Sequence, residues 1–93
     1  MKLIYTERAL ADVDLAVEWY ESQRMGLGHE FLDCLEVGIL PIIDRPAIYQ
    51  KRYKDIRSVI IRRFPFSVLY TIESQEIVVH AVFDNRQNPE KMP

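Results

Sequence analysis

Cysteine, glycine and long apolar runs are scarce in this chain, and each scarcity removes a class of protein. Cys34 is the single cysteine. It has no internal partner, sits in an apolar context, and reads as a small core residue in a reducing, cytoplasmic setting. The three glycines, Gly26, Gly28 and Gly38, build no phosphate-cradling loop. His29 and His80, with scattered carboxylates, offer no ligand spacing for a metal. Neither a metal nor another cofactor is expected. No apolar stretch approaches the roughly eighteen residues of a membrane span, so no membrane partner is expected. The opening Met1-Lys2-Leu3-Ile4-Tyr5-Thr6 lacks the long apolar core and small-residue cleavage site of a secretory signal.

What remains is an ordinary globular composition. The chain is 48% apolar and 28% charged, which excludes a disordered class. Its 93 residues fit one domain, residues 1–93, near the lower end of the self-stable range.

The near-neutral total conceals a dipole. Residues 1–44 set Lys2, Arg8 and Arg24 against Glu7, Asp12, Asp14, Glu18, Glu21, Glu30, Asp33, Glu36 and Asp44. Residues 45–63 reverse the sign, with Arg45, Lys51, Arg52, Lys54, Arg57, Arg62 and Arg63 opposed by Asp55 alone. A basic surface on a small sheet suggests an anionic partner, nucleic acid first. The competing reading is two solvated faces of opposite sign.

Hydrophobic periodicity gives the order of elements. Lys2 to Tyr5 reads as a strand. Thr6 is a plausible helix N-cap, followed by Glu7 at the positive end of the dipole. Leu10, Val13, Val17 and Tyr20 then recur at helical spacing. Met25 to Gly28 breaks the pattern. A second helix shows Phe31, Leu35, Ile39 and Ile42 on one face, widened by Leu32 and Ile43. Pro41 removes a backbone donor, so a kink or an early end near Gly38 is expected. From Ile56 the period becomes two. Ile56 to Arg63, then Phe66, Val68, Tyr70 and Ile72, then Ile77, Val79, Ala81 and Phe83 read as three antiparallel strands. Ser74-Gln75 closes the second turn. The fold class is α+β, in the order β-α-α-β-β-β. An N-terminal helical hairpin packs on a small, mainly antiparallel sheet.

That order and four local motifs resemble the RelE/ParE toxin superfamily of type II toxin–antitoxin modules, known for plasmid stabilisation. Thr6-Glu7-Arg8-Ala9-Leu10-Ala11-Asp12-Val13 is similar to the family's first-helix start. Ile56-Arg57 opens the basic strand. Phe64-Pro65-Phe66-Ser67-Val68-Leu69-Tyr70 is similar to its Phe-Pro-Tyr/Phe hairpin. Ile77 to Phe83 with Arg86-x-x-Pro89 is similar to its closing strand and tail.

The resemblance implies a growth-inhibiting toxin neutralised by an antitoxin protein. The antitoxin tail is expected to wrap the helical hairpin and the sheet, setting apolar anchors and acidic groups against the Arg57–Arg63 strand. Members like ParE poison DNA gyrase, which is the reading favoured here. Members like RelE cut mRNA on the ribosome. A third reading is a member that keeps only antitoxin binding.

RNA cleavage by its own 2′-OH needs a base, an acid and cations. The candidates for such chemistry are Arg57, Arg63, His80, Asp84 and Arg86. Candidates for holding nucleic acid or phosphate are Lys51, Lys54, Arg57, Arg63 and Arg86. Arg57 and Arg63 share one strand face and are expected to line a groove away from the helices, with Arg86 converging on them. Plainer roles compete. His80 alternates with Val78 and Val82 as a packed or edge-strand histidine would. Arg86 can pair with Asp84. Tyr49 and Tyr53, beside Lys51 and Lys54, suit either base stacking or a loop anchor. Trp19, if exposed, suits antitoxin contact.

Overall fold

The computed structural model describes residues 1–87. Strand β1 (Lys2–Tyr5) leads into helices α1 (Glu7–Gln23) and α2 (Leu27–Asp44). Strands β2 (Lys51–Tyr53), β3 (Ile56–Ile60), β4 (Phe66–Glu73) and β5 (Glu76–Asp84) follow. The sheet order is β1-β5-β4-β3-β2. All neighbours are antiparallel except β1 and β5, which run parallel. The α+β architecture is as expected, with one strand added. The period-two pattern missed β2 because Lys51, Arg52 and Tyr53 are all exposed. An edge strand with no buried face carries no alternation to read.

Helix α1 starts where expected. The Thr6 hydroxyl accepts from the Ala9 amide at 3.1 Å. Of its expected stripe, Tyr20 is buried and Val13 and Val17 pack half-buried on the core, but Leu10 does not. Ala9, Ala16 and Tyr20 are buried, whereas Leu10 is 52% exposed. The small alanines let α1 lie close to β5, a choice that ranking residues by hydrophobicity inverts. Helix α2 buries Phe31, Leu35, Ile39 and Ile42 as expected; Leu32 and Ile43 lie on its exposed flank.

Pro41 does not end α2, which continues to Asp44. The missing amide would have served the carbonyl of Val37, an exposed residue. One further turn is closed by the Arg45 amide on the Pro41 carbonyl at 2.9 Å.

The two helices meet at Gly28. A Cβ there would lie 2.8 Å from the Val17 carbonyl oxygen. Alanine is the better helix former, yet Gly28→Ala is expected to destabilise the protein by about 1–3 kcal/mol, because backbone would have to move. A urea titration checks this, and an unchanged or raised midpoint would count against the close approach.

The core is a ring cluster between the layers. Tyr20 meets Phe31 (centroids 5.5 Å apart) and Phe64 (4.8 Å). Phe31 meets Phe64 (5.3 Å) and Phe66 (5.0 Å). Val68, Tyr70, Ile77 and Val79 extend the core along the sheet.

Strand β5 departs from the expected alternation. Leu69 pairs with Ala81 and Tyr70 with Val79, so His80 is an extra residue, a β-bulge. The bulge changes which side chains face the helices. Ile77, Val79 and Val82 lie in the helix-side core. Ala81 and Phe83 join Leu69 in a separate cluster. Period two puts Phe83 on the same face as Val79, and it is not there. The backbone groups freed by the bulge find partners on α1 and its cap. Thr6 Oγ1 donates to the His80 carbonyl at 3.2 Å, and Asp12 Oδ2 accepts from the Val82 amide at 3.0 Å. The Thr6…Asp12 signature is therefore a clamp on an irregular strand, where unpaired polar groups would be costly.

Candidate functional site

Three hollows at the margins of the sheet hold the charged candidates, and each is built by different elements. The first lies where α1 crosses the end of β5. Arg8, Asp12, Leu15 and Trp19 come from the helix; Phe83, Asp84 and Arg86 come from the strand and the turn after it. It encloses about 410 Å³. Leu15 is 67% and Trp19 52% exposed, so one wall is apolar. Arg86 is fastened by its own turn. Its Nε and Nη2 donate to the two oxygens of Asp84 at 3.0 and 2.8 Å. That fork holds the Asp84 carboxyl below the usual range and raises Arg86.

The second hollow lies between α2 and β3. Val37, Pro41, Tyr49, Val59 and Ile60 line it, and Glu30, Asp33, Arg62 and Arg63 give it charges of both signs. Ile60 is 66% exposed here. Arg63 follows the strand in the left-handed region at φ 73°, an uncommon conformation for a side chain of its size. Its Nη2 donates to Glu30 Oε1 at 2.8 Å, and Arg24 takes the other Glu30 oxygen at 2.9 Å. Hydrogen bonds from Arg63, then Arg24, hold the Glu30 carboxyl below its ordinary value. This triad ties the turn between the helices to the connection between β3 and β4.

Arg57 lines the third hollow with Lys51, Asp55, Thr71 and Glu73. It shares a strand face with Val59, which is buried in the helix-side core. The expected pair facing away from the helices is thus not formed. The apolar residues decide the facing, because Val59 and Ile61 are buried while Ile60 is not. Arg57 Nη1 donates to the Tyr49 carbonyl at 2.6 Å. Arg57, Arg63 and Arg86 therefore line separate hollows and do not converge.

The remaining candidates are also engaged. The Thr71 hydroxyl donates to Glu73 Oε2 at 2.6 Å and lies within hydrogen-bond distance of His80 Nε2, at 2.8 Å. Lys51 pairs with Asp55 at 3.3 Å, and Lys54 lies 5.4 Å from the Tyr53 ring centre. Among the described residues, no group of three or more His, Cys, Asp or Glu is placed to hold a metal ion. No described helix is long and apolar enough to cross a membrane. Pro89 of the Arg-x-x-Pro tail lies outside the described residues.

The model of the ParE toxin of the type II toxin–antitoxin system, parDE, matches residues 3–89. The chain belongs to this family. As a ParE-family toxin it has a cognate antitoxin for its partner. A solved structure described as the chromosomal ParDE TA system from P. aeruginosa superposes with a TM-score of 0.79 at 19% identity. The match covers 90% of this chain and 95% of that one. At that identity the likeness speaks for the fold. No curated protein sequence matches the chain.

Sequence reasoning passed over Leu15 and Ile60. A signal for Leu15 was present. Ala11, Leu15 and Trp19 repeat every four residues, a second apolar stripe beside the buried one. Ile60 had no such signal, because its alternating strand looked equally apolar on both faces.

Proposed function

We propose that the chain, as one domain in the cytoplasm, arrests growth by binding and poisoning DNA gyrase. The observation that carries this reading is the engagement and separation of the groups that nuclease chemistry would need. A base, an acid and phosphate-binding cations must meet within hydrogen-bond reach of one phosphate. Here His80 Nε2 is engaged by the Thr71 hydroxyl, Asp84 is locked to Arg86, and the three arginines occupy three hollows.

The antitoxin would seal the two apolar hollows. The one between α2 and β3 combines apolar walls with Arg62, which has no ion-pair partner among the described residues, so it fits a segment that sets an acidic side chain beside its apolar anchors. Folding of that segment on binding gives a negative heat-capacity change.

The test is induction of the chain in a sensitive bacterium, with DNA and protein synthesis followed separately. Cleaved DNA and an SOS response should precede any fall in protein synthesis. A prompt fall in protein synthesis with cut mRNA would overturn the gyrase reading in favour of the nuclease one.

A further inference from the structure

The cations that matter most for a new function are those the protein itself does not use. Arg24 and Arg63 serve Glu30, Arg86 serves Asp84, and Arg57 serves the Tyr49 carbonyl. Arg45, at the end of α2, and Arg52, on β2, are exposed and have no ion-pair partner among the described residues. Lys54 lies over the Tyr53 ring and has no ion-pair partner among the described residues. These three fall within residues 45–54, which hold no acid, and the next residue, Asp55, is paired with Lys51.

Their support is rigid. The loop from α2 to β2 is pinned to the sheet twice. The buried Tyr70 donates its hydroxyl to the Pro46 carbonyl at 2.7 Å, and Arg57 holds the Tyr49 carbonyl at 2.6 Å. Arg57 is thereby a positioning residue for the loop. Strand β2 is the sheet edge, so its outer backbone groups face solvent and add donors for an anion. The acidic helices make the potential one-sided, which orients an anionic polymer toward this edge.

We propose that the β2 edge, through Arg45, Arg52 and Lys54, binds the phosphate backbone of duplex DNA without reading its sequence. Charge complementarity selects a polyanion. The aromatic pattern favours a duplex over unpaired bases. Tyr53 is 63% exposed, yet the Lys54 ammonium lies over its ring, so the stacking platform that single strands use is obstructed. The inference stands apart from the gyrase reading, because its test contains no gyrase.

The experiment is fluorescence anisotropy of the purified full chain with a short labelled duplex of arbitrary sequence, titrated across salt. Neutralising three phosphates predicts binding about 40-fold weaker at about 200 mM than at about 50 mM salt. The triple variant Arg45→Gln, Arg52→Gln, Lys54→Asn should lose most of that dependence, since each cation removed lowers the slope by about one. Asparagine is chosen for position 54 because its φ is 51°, which asparagine tolerates. Arg52→Glu alone should weaken binding in the same direction, guarding against a folding defect in the triple variant. Lys2→Ala, on the opposite sheet edge, should change little. The proposal is overturned if the wild-type chain fails to bind at about 50 mM salt. It is equally overturned if the triple variant keeps the wild-type slope, if Lys2→Ala weakens binding as much as Arg52→Glu, or if the single strand binds tighter than the duplex.

Discussion

Phe31→Ala and Phe66→Ala are each expected to destabilise the fold by about 3–5 kcal/mol. Both rings are buried, and they pack edge to face at 5.0 Å with Tyr20 and Phe64 around them. Removing either leaves a void lined by the other three rings, and close-packed neighbours refill such a void only in part. A domain holds roughly 5–15 kcal/mol in all, so either variant should sit near the edge of folding at body temperature. The double variant should cost less than the sum, since the second truncation removes contacts the first has already lost. Urea unfolding followed by near-ultraviolet circular dichroism measures all three. If Phe66→Ala moves the midpoint no further than Lys2→Ala does, the ring cluster does not join the two layers.

Trp19→Ala is expected to weaken antitoxin binding by at least about 2 kcal/mol, roughly 30-fold. An indole left half in water beside Leu15 is a large apolar surface with no covering element in the described fold. The flanking Arg8 and Arg86 give the hollow polar edges, the arrangement in which a buried aromatic anchor carries most of an interface. The same substitution should leave stability within about 0.5 kcal/mol, because an exposed side chain adds little to the core. Calorimetric titration of the purified variant with its cognate antitoxin measures the first effect, and a melting curve the second. Wild-type affinity in a normally folded Trp19→Ala would move the antitoxin off the α1 face and onto the hollow between α2 and β3.

Sequence patterns reached the elements more securely than their facing. The strand at Lys2–Tyr5, the Thr6 cap, the buried face of α2 and the Ser74-Gln75 turn were all legible. Each depends on residues a few positions apart in the chain. Three features escaped. The burial of Ala9 and Ala16 rather than Leu10 on α1 follows from their packing against the sheet, which only the partner surface reveals. Strand β2 is held by pairing with β3 and by no pattern of its own. The bulge at His80 inverts the facing of everything after it, so Phe83 moved from one side of the sheet to the other.

The candidate site divides in the same way. Residue types and charge were visible from the start: a basic stretch from Arg45 to Arg63, a late His80 and Asp84, and a tail beginning at Arg86. Which of these groups meet was not visible, because meeting is set by strand order and by where each side chain finds its partner. Composition, period and motif order by themselves determined the α+β class, the order of helices and strands, the charge dipole and the resemblance to a toxin family, since all of these are encoded locally. Only the tertiary structure decided that Arg57, Arg63 and Arg86 stand apart, that Glu30 and Asp84 consume two of them, and that Arg45 and Arg52 have no ion-pair partner among the described residues. The physical reason is that an ion pair or a bulge is a bargain between residues distant in the chain, and its terms are fixed only when the sheet brings them together.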